Sequence, residues 1–225
     1  MDTLQNKIEL TLKDIGEDVL FTYLKNNNKL PIEYSLITES IKWKNYMSYD
    51  NIVERAEAFA RFVHNDTNHW YDRNLKLPYT YHLFQVVEVA KKFLNSSLQW
   101  SHTAEDIEII LAACWIHDLI EDGRITARDA VKVLGEKAVR AAFAVTNHKG
   151  WTRKERANAQ YYEDIRSNIY STFVKLCDRI ANVEESIRTG KMLDMYRSEY
   201  PDFKKELYRP GQYEEVWSYL ENLLK

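Results

Sequence analysis

The segment His117-Asp118-Leu119-Ile120-Glu121-Asp122 sets metal- and proton-binding side chains directly behind an apolar run, Ile109 to Ile116. If that run is a buried helix, it delivers the polar cluster into the interior, where unpaired charge is costly and a metal ion is the usual compensation. A helix continuing through the segment puts His117 and Glu121 on one face and Asp118 and Asp122 on the next.

Two other segments offer further ligands. Pro78-Tyr79-Thr80-Tyr81-His82 opens a second apolar pattern (Leu83, Val86, Val87, Ala90, Phe93, Leu94), so His82 stands near a helix entrance. Val174 to Val183 embeds Asp178 beside Val174, Cys177 and Ala181. His82, His117, Asp118 and Asp178 together suit one borderline divalent ion such as Mn²⁺, Fe²⁺ or Zn²⁺. Imidazole binds all three, and the carboxylates lean toward the harder Mn²⁺. Each motif alone is weak, because a carboxylate on an apolar helix more often partners a nearby Lys or Arg.

Long patterns of helical period, with only 6 Gly and 4 Pro to interrupt them, predict an all-α bundle that must bring these three segments together. Helices are expected over Asn51 to Val63, Leu83 to Leu94, the His-Asp segment up to Gly123, and Glu136 to Val145. Further helices are expected over Lys154 to Ile165, Ile169 to Thr189, Leu193 to Leu207 and Tyr213 to Leu224. Thr126 and Asp129 have the spacing of a capping box, and Gly135 breaks the helix it opens. Residues 64 to 81 read as a polar loop. Residues 1–50 form an N-terminal extension, amphipathic over 3–25 and broken at Asn26 to Lys29, and 51–225 form the main domain.

In this order and at these separations, the motifs resemble the HD superfamily of metal-dependent phosphohydrolases. Within it they resemble the Rel/SpoT-type and small stand-alone hydrolases of the alarmone guanosine tetraphosphate (ppGpp). Arg73 to His82 is similar to that family's Arg-Lys…Pro-Tyr-x-x-His, His117 to Asp122 to its His-Asp-x-x-Glu-Asp, and Val174 to Asn182 to its Val-Lys-Leu-Ala-Asp-Arg/Lys-x-x-Asn. The resemblance spans about residues 52 to 207. It departs at Leu83, which stands for a Pro, at Asn74, which stands for a Lys, at Glu185, and around Trp70 and Trp151.

The resemblance implies an HD-domain helical bundle that hydrolyses the 3′-diphosphate of ppGpp or pppGpp and releases pyrophosphate. A metal held by His82, His117, Asp118 and Asp178 would acidify a water, and Glu121 and Asp122 would serve as the acid–base pair. Arg73 would stack on the guanine, a role suited to its flat guanidinium. Asn182 would reach the ribose or a phosphate, and Lys76, Lys149, Arg153 and Arg156 would meet phosphates. Two other readings share the motifs: hydrolysis of another nucleotide (a dNTP, a cyclic nucleotide or the 2′-phosphate of NADPH), and a nucleotide-sensing module without turnover. Retention of both Glu121 and Asp122 argues against the second, since a pure binder has no need of them.

Composition narrows the partners. A net charge of -3 without a basic run argues against nucleic acid and anionic membrane, leaving a small-molecule nucleotide. No apolar stretch approaches membrane-spanning length and Met1-Asp2-Thr3 begins nothing like a signal peptide, so a cytoplasmic protein is expected. Cys114 and Cys177 fall within apolar patterns as core-filling thiols, and His64, His69, His102 and His148 lack ligand spacing. If Arg73 stacks on guanine, Arg73→Ala should raise the Michaelis constant for a guanosine alarmone about 5- to 30-fold at unchanged metal content. Arg73→Lys should recover little of that loss. Equal efficiency of Arg73→Ala and the parent on ppGpp and on its adenosine counterpart would remove the guanine contact.

Overall fold

The structure, a computed structural model, describes residues 49–66, 70–72, 77–96, 103–122, 125–147 and 150–225, with the backbone alone at 65, 66, 95, 96, 120 and 122. The expected N-terminal extension, Arg73, Lys76, Gly123, Lys149, His69, His102 and His148 lie outside the described residues.

From the N-terminal side come α1 (Ile52–Asp66), a short antiparallel ribbon of β1 (Trp70–Asp72) and β2 (Leu77–Pro78), α2 (Thr80–Ser96) and α3 (Ala104–Ile116). After these follow α4 (Leu119–Asp122), α5 (Ala127–Leu134), α6 (Glu136–Val145) and α7 (Arg153–Arg156). The chain closes with α8 (Ala159–Ser167), α9 (Ser171–Thr189), α10 (Leu193–Leu207) and α11 (Glu214–Leu223). The expected all-α class is what is found, with the ribbon the exception: Trp70 pairs with Pro78 and Asp72 with Leu77 inside the stretch expected as a loop.

The centre is α3. Ile109, Ile110, Ala112, Ala113, Cys114, Trp115 and Ile116 are all buried, so the C-terminal half of this helix is apolar on every face and must be surrounded. It packs against α1, α2, α6 and α9. Into the same core α2 buries Leu83, Val86, Val87 and Ala90, and α9 buries Phe173, Val174, Leu176, Cys177 and Ile180. Each large side chain here contributes roughly 1.5–3 kcal/mol by leaving water. No helix among the described residues is long and apolar enough to cross a membrane.

Three expectations about helix continuity change. α3 ends at Ile116, and His117 and Asp118 form a turn before α4 begins, so the segment is not one uninterrupted helix. The stretch expected as one helix from Lys154 to Ile165 is divided. Ala157 leaves helical geometry, and the Asn158 side chain accepts from Tyr161 N (3.0 Å) to open α8, because Asn competes for backbone donors better than it extends a helix. α2 starts earlier than Leu83, at Thr80, which places His82 in its first turn.

Elsewhere the local signals hold. Thr126 and Asp129 form the expected capping box, and Gly135 separates α5 from α6 at φ +75, a backbone angle that disfavours residues with a Cβ. A second box, not anticipated from the sequence, opens α3: Asp106 N donates to Thr103 Oγ1 at 3.1 Å, and Thr103 N donates to Asp106 Oδ2 at 2.9 Å. Thr103→Ala should therefore cost about 1 kcal/mol, the usual scale of a lost cap, lowering the urea midpoint at unchanged slope. An unmoved midpoint would show that burial alone sets the start of α3.

Candidate functional site

The last turn of α3 ends inside the molecule, where its carbonyl groups have no water to satisfy them. His117, at the C-cap, resolves one of these. Its Nδ1 lies 2.9 Å from the Cys114 carbonyl oxygen, which can only accept, so Nδ1 carries the proton and donates. In the neutral ring Nε2 is then a lone pair. That atom is buried, has no hydrogen-bond partner, and faces Asp118 Oδ2 at 3.1 Å and Asp178 Oδ1 at 3.6 Å.

His82 approaches from the first turn of α2. Its Nε2 stands 3.2 Å from Asp178 Oδ1 and 3.8 Å from Asp118 Oδ2, and its ring meets that of His117 edge-on with centroids 5.4 Å apart. One ligand atom from each of His82, His117 and Asp118 lies within 4.8 Å of the others, and Asp178 closes the group. α2, the turn after α3, and α9 thus bring acceptor atoms together where solvent reaches them only in part. Only a cation can reconcile two carboxylates with inward lone pairs, and two imidazoles with two carboxylates match the donor preferences of a borderline divalent ion. Without a metal the cation is a proton. Burial alone favours a neutral His117, but the charges of Asp118 and Asp178 outweigh it and hold the imidazole well above its usual range. Both carboxyls are drawn below theirs in spite of burial: Asp118 chiefly by His117, Asp178 chiefly by Lys175 and then by the histidines.

Around these four, further side chains fix their aim. Tyr79 donates its hydroxyl to Asp118 Oδ2 at 2.5 Å, while its backbone carbonyl accepts from His82 N at 3.0 Å. On α9, Lys175 donates to Asp178 Oδ2 (2.8 Å) and Asn182 to Oδ1 (2.6 Å), so both carboxylate oxygens are held from the same helix. Burial opposes the Lys175 charge, yet Asp178 outweighs it and raises the ammonium above its ordinary range. Tyr71 lies parallel to His82, with centroids 5.9 Å apart.

The cluster forms part of the wall of a cavity of about 610 Å³, a size typical of small-molecule sites. Of the residues expected from sequence, His82, Asp118, Asp178, Glu121, Asn182, Arg153 and Arg156 line it. His117 lies behind them, fully buried. Glu121 is not bonded to the cluster. After the turn at His117–Asp118 its oxygens accept from Asn147, just past the end of α6, through Nδ2 (3.0 and 3.1 Å) and N (3.3 Å). Asn182 spends its amide on Asp178 rather than presenting it free. Sequence reasoning assigned no role to Tyr79, Asn147, Lys175, Arg179, Tyr196 or Glu199. Tyr79 sits within the Pro-Tyr-x-x-His segment and Lys175 one turn before Asp178, so a signal existed for those two. The others are joined only by the fold.

No protein-family model matches this chain, and no curated protein matches it. Among solved structures it is similar to one described as a metazoan ortholog of SpoT that hydrolyses ppGpp and plays a role in starvation responses. The likeness has a TM-score of 0.60 at 19% identity and covers 78% of this chain and 96% of that one. At that identity it establishes a shared fold, the helical bundle that the motif resemblance implies.

Proposed function

We propose that this chain is a metal-dependent phosphohydrolase that removes the 3′-diphosphate of ppGpp or pppGpp as pyrophosphate. The observation that carries the reading is the buried His117 Nε2, aimed without a hydrogen-bond partner between two carboxylates in the wall of a nucleotide-sized cavity. The motif resemblance and the reported activity of the structural neighbour support the choice of substrate.

His82, His117, Asp118 and Asp178 would hold one divalent ion, Mn²⁺ by the balance of two imidazoles and two carboxylates, with Fe²⁺ and Zn²⁺ also compatible. When bound, the ion supplies Lewis acidity, which makes water a better nucleophile at neutral pH and neutralises charge on the phosphoryl group. The chain does the rest. Glu121, anchored through Asn147 at the cavity wall, and Asp122 beside it in sequence form the acid–base pair. One carboxylate accepts the proton of the attacking water, and the other carboxyl returns a proton to the ribose 3′-oxygen as its bond to phosphorus breaks. Arg153 and Arg156 at the cavity, with Lys76 and Lys149, meet phosphates; Arg73 stacks on the base, and Asn182 keeps Asp178 aligned beside the ribose.

Hydrolysis in Mn²⁺ across ppGpp, NADPH, dNTPs and cyclic nucleotides, with products identified by mass, tests the reading. Pyrophosphate and GDP from ppGpp are expected. Turnover confined to another nucleotide, or release of orthophosphate alone, would replace it. Purified protein should carry about one transition-metal ion per chain, and Asp178→Ala should lose metal and activity together. Glu121→Gln should keep the metal and lose roughly 10²-fold in turnover, the scale of lost acid–base assistance. Normal turnover by both Glu121→Gln and Asp122→Asn would take the acid–base role from this pair.

A further inference from the structure

Within the cavity lining, α7, α9 and α10 bring together Arg153, Arg179 and Glu199, whose charges are already committed to one another, while Lys154 and Arg156 of α7 stand beside them. Arg153 donates to Glu199 through Nε (2.8 Å to Oε1) and Nη2 (3.2 Å to Oε2), and Arg179 donates through Nη1 to Glu199 Oε2 at 2.7 Å. One carboxylate thus holds two guanidinium groups. Arg179 is further fixed by aromatic faces, with its guanidinium carbon 4.9 Å from the Tyr196 centroid and 4.6 Å from that of Phe203. Its side chain is only 12% exposed, whereas that of Arg153 is 49% exposed. All of these residues line the same cavity as the metal-ligand cluster.

A wall that serves only to attract phosphate has no use for this carboxylate. Bidentate guanidinium geometry is what a phosphate oxygen pair would occupy, and Glu199 occupies it first. Two positive charges therefore present themselves to an incoming anion as about one, and each added phosphate also meets the repulsion of Glu199. Burial alone would favour a neutral Glu199, but Arg153 and Arg179 draw its carboxyl below the usual range, so the charge is present at neutral pH.

We infer that Glu199 is a specificity-determining residue: a carboxylate built into the phosphate-facing wall that competes with substrate phosphate for Arg153 and Arg179 and caps how much negative charge the cavity accepts. This rests on the reading of the cavity as a nucleotide site. It goes beyond that reading in assigning the discrimination between 5′-mono-, di- and triphosphates to one side chain that touches neither metal ligand nor scissile bond.

Calorimetric titration of the Mn²⁺-loaded protein with GMP, GDP and GTP, none of which carries a 3′-phosphate to hydrolyse, reads this directly. The parent should gain little from each added phosphate, within about 3-fold. Glu199→Gln keeps size and removes the charge, and it should tighten GTP about 10-fold or more while changing GMP least, with a steeper loss of affinity on adding salt. A Glu199 that merely clamps the two arginines predicts the opposite, weaker binding of all three nucleotides by the variant. That result, an unchanged GTP affinity, or failure of any of the three to bind overturns the inference. Should Glu199→Gln not fold, Arg153→Gln at its half-exposed position decides instead: it should weaken GTP more than GMP, and equal affinities overturn the inference too. Parallel assay of ppGpp hydrolysis by the parent separates the two readings. Turnover without the Glu199 effect sinks only this inference, and the Glu199 effect without turnover sinks only the proposed substrate.

Discussion

The hydrogen bond from His117 Nδ1 to the Cys114 carbonyl fixes the character of the whole site. A helix as apolar as α3 must end within the protein, and its terminal carbonyls would otherwise go unsatisfied. Satisfying one of them with an imidazole has a second consequence: it assigns the tautomer and turns the remaining lone pair of the ring inward. The interior helix end and the ligand atom are therefore one solution to one problem. Because the ring is buried against α2 and α9, the bundle cannot pack in this way without also gathering Asp118, Asp178 and His82 around that lone pair.

Gathering acceptors has an electrostatic cost, which the neighbouring residues offset in part. Lys175 and Asn182 satisfy both oxygens of Asp178 from its own helix, and Tyr79 satisfies one of Asp118 from the start of α2. Removing a single partner from such a group leaves a buried charge uncompensated, typically several kcal/mol of destabilisation. Rigidity follows at three of the four residues, since the Cys114 carbonyl holds His117, Tyr79 holds Asp118, and Lys175 and Asn182 hold Asp178. The donor atoms are thus held together by the chain itself.

Local signals in the sequence carried much of this. The bounds of α10 coincide with the apolar period from Leu193 to Leu207, and the box at Thr126 and Asp129 forms as its spacing requires. The four residues of the cluster could be singled out because each sits against an apolar stripe that had to be buried. What escaped was set by competition or distance. The turn at His117–Asp118 interrupts a pattern with no Gly or Pro to mark it, and the division at Asn158 depends on a side chain outcompeting the helix for a donor. The ribbon of β1 and β2 is too short to show a period. Arg153, Arg179 and Glu199 stand in separate elements, and only the packing of α9 with α10 makes one network of them.

That network shows how one helix divides two duties. Along α9, Lys175, Asp178 and Asn182 follow the helical period and belong to the buried His–Asp cluster, while Arg179, a third of a turn from Asp178, joins the ion-paired wall with α7 and α10. The cluster side is largely buried and built from the ends and faces of α2, α3 and α9, which pack on one another. The wall side depends on α7, a single turn with no buried residue, and on the outer α10. The cluster is thus held by the part of the fold that can change least, and the ion-paired wall belongs to a part that can change without disturbing it. A substitution at Arg153 meets a partly exposed ion pair of modest energetic weight, so this edge of the cavity can vary while the buried cluster stays in place.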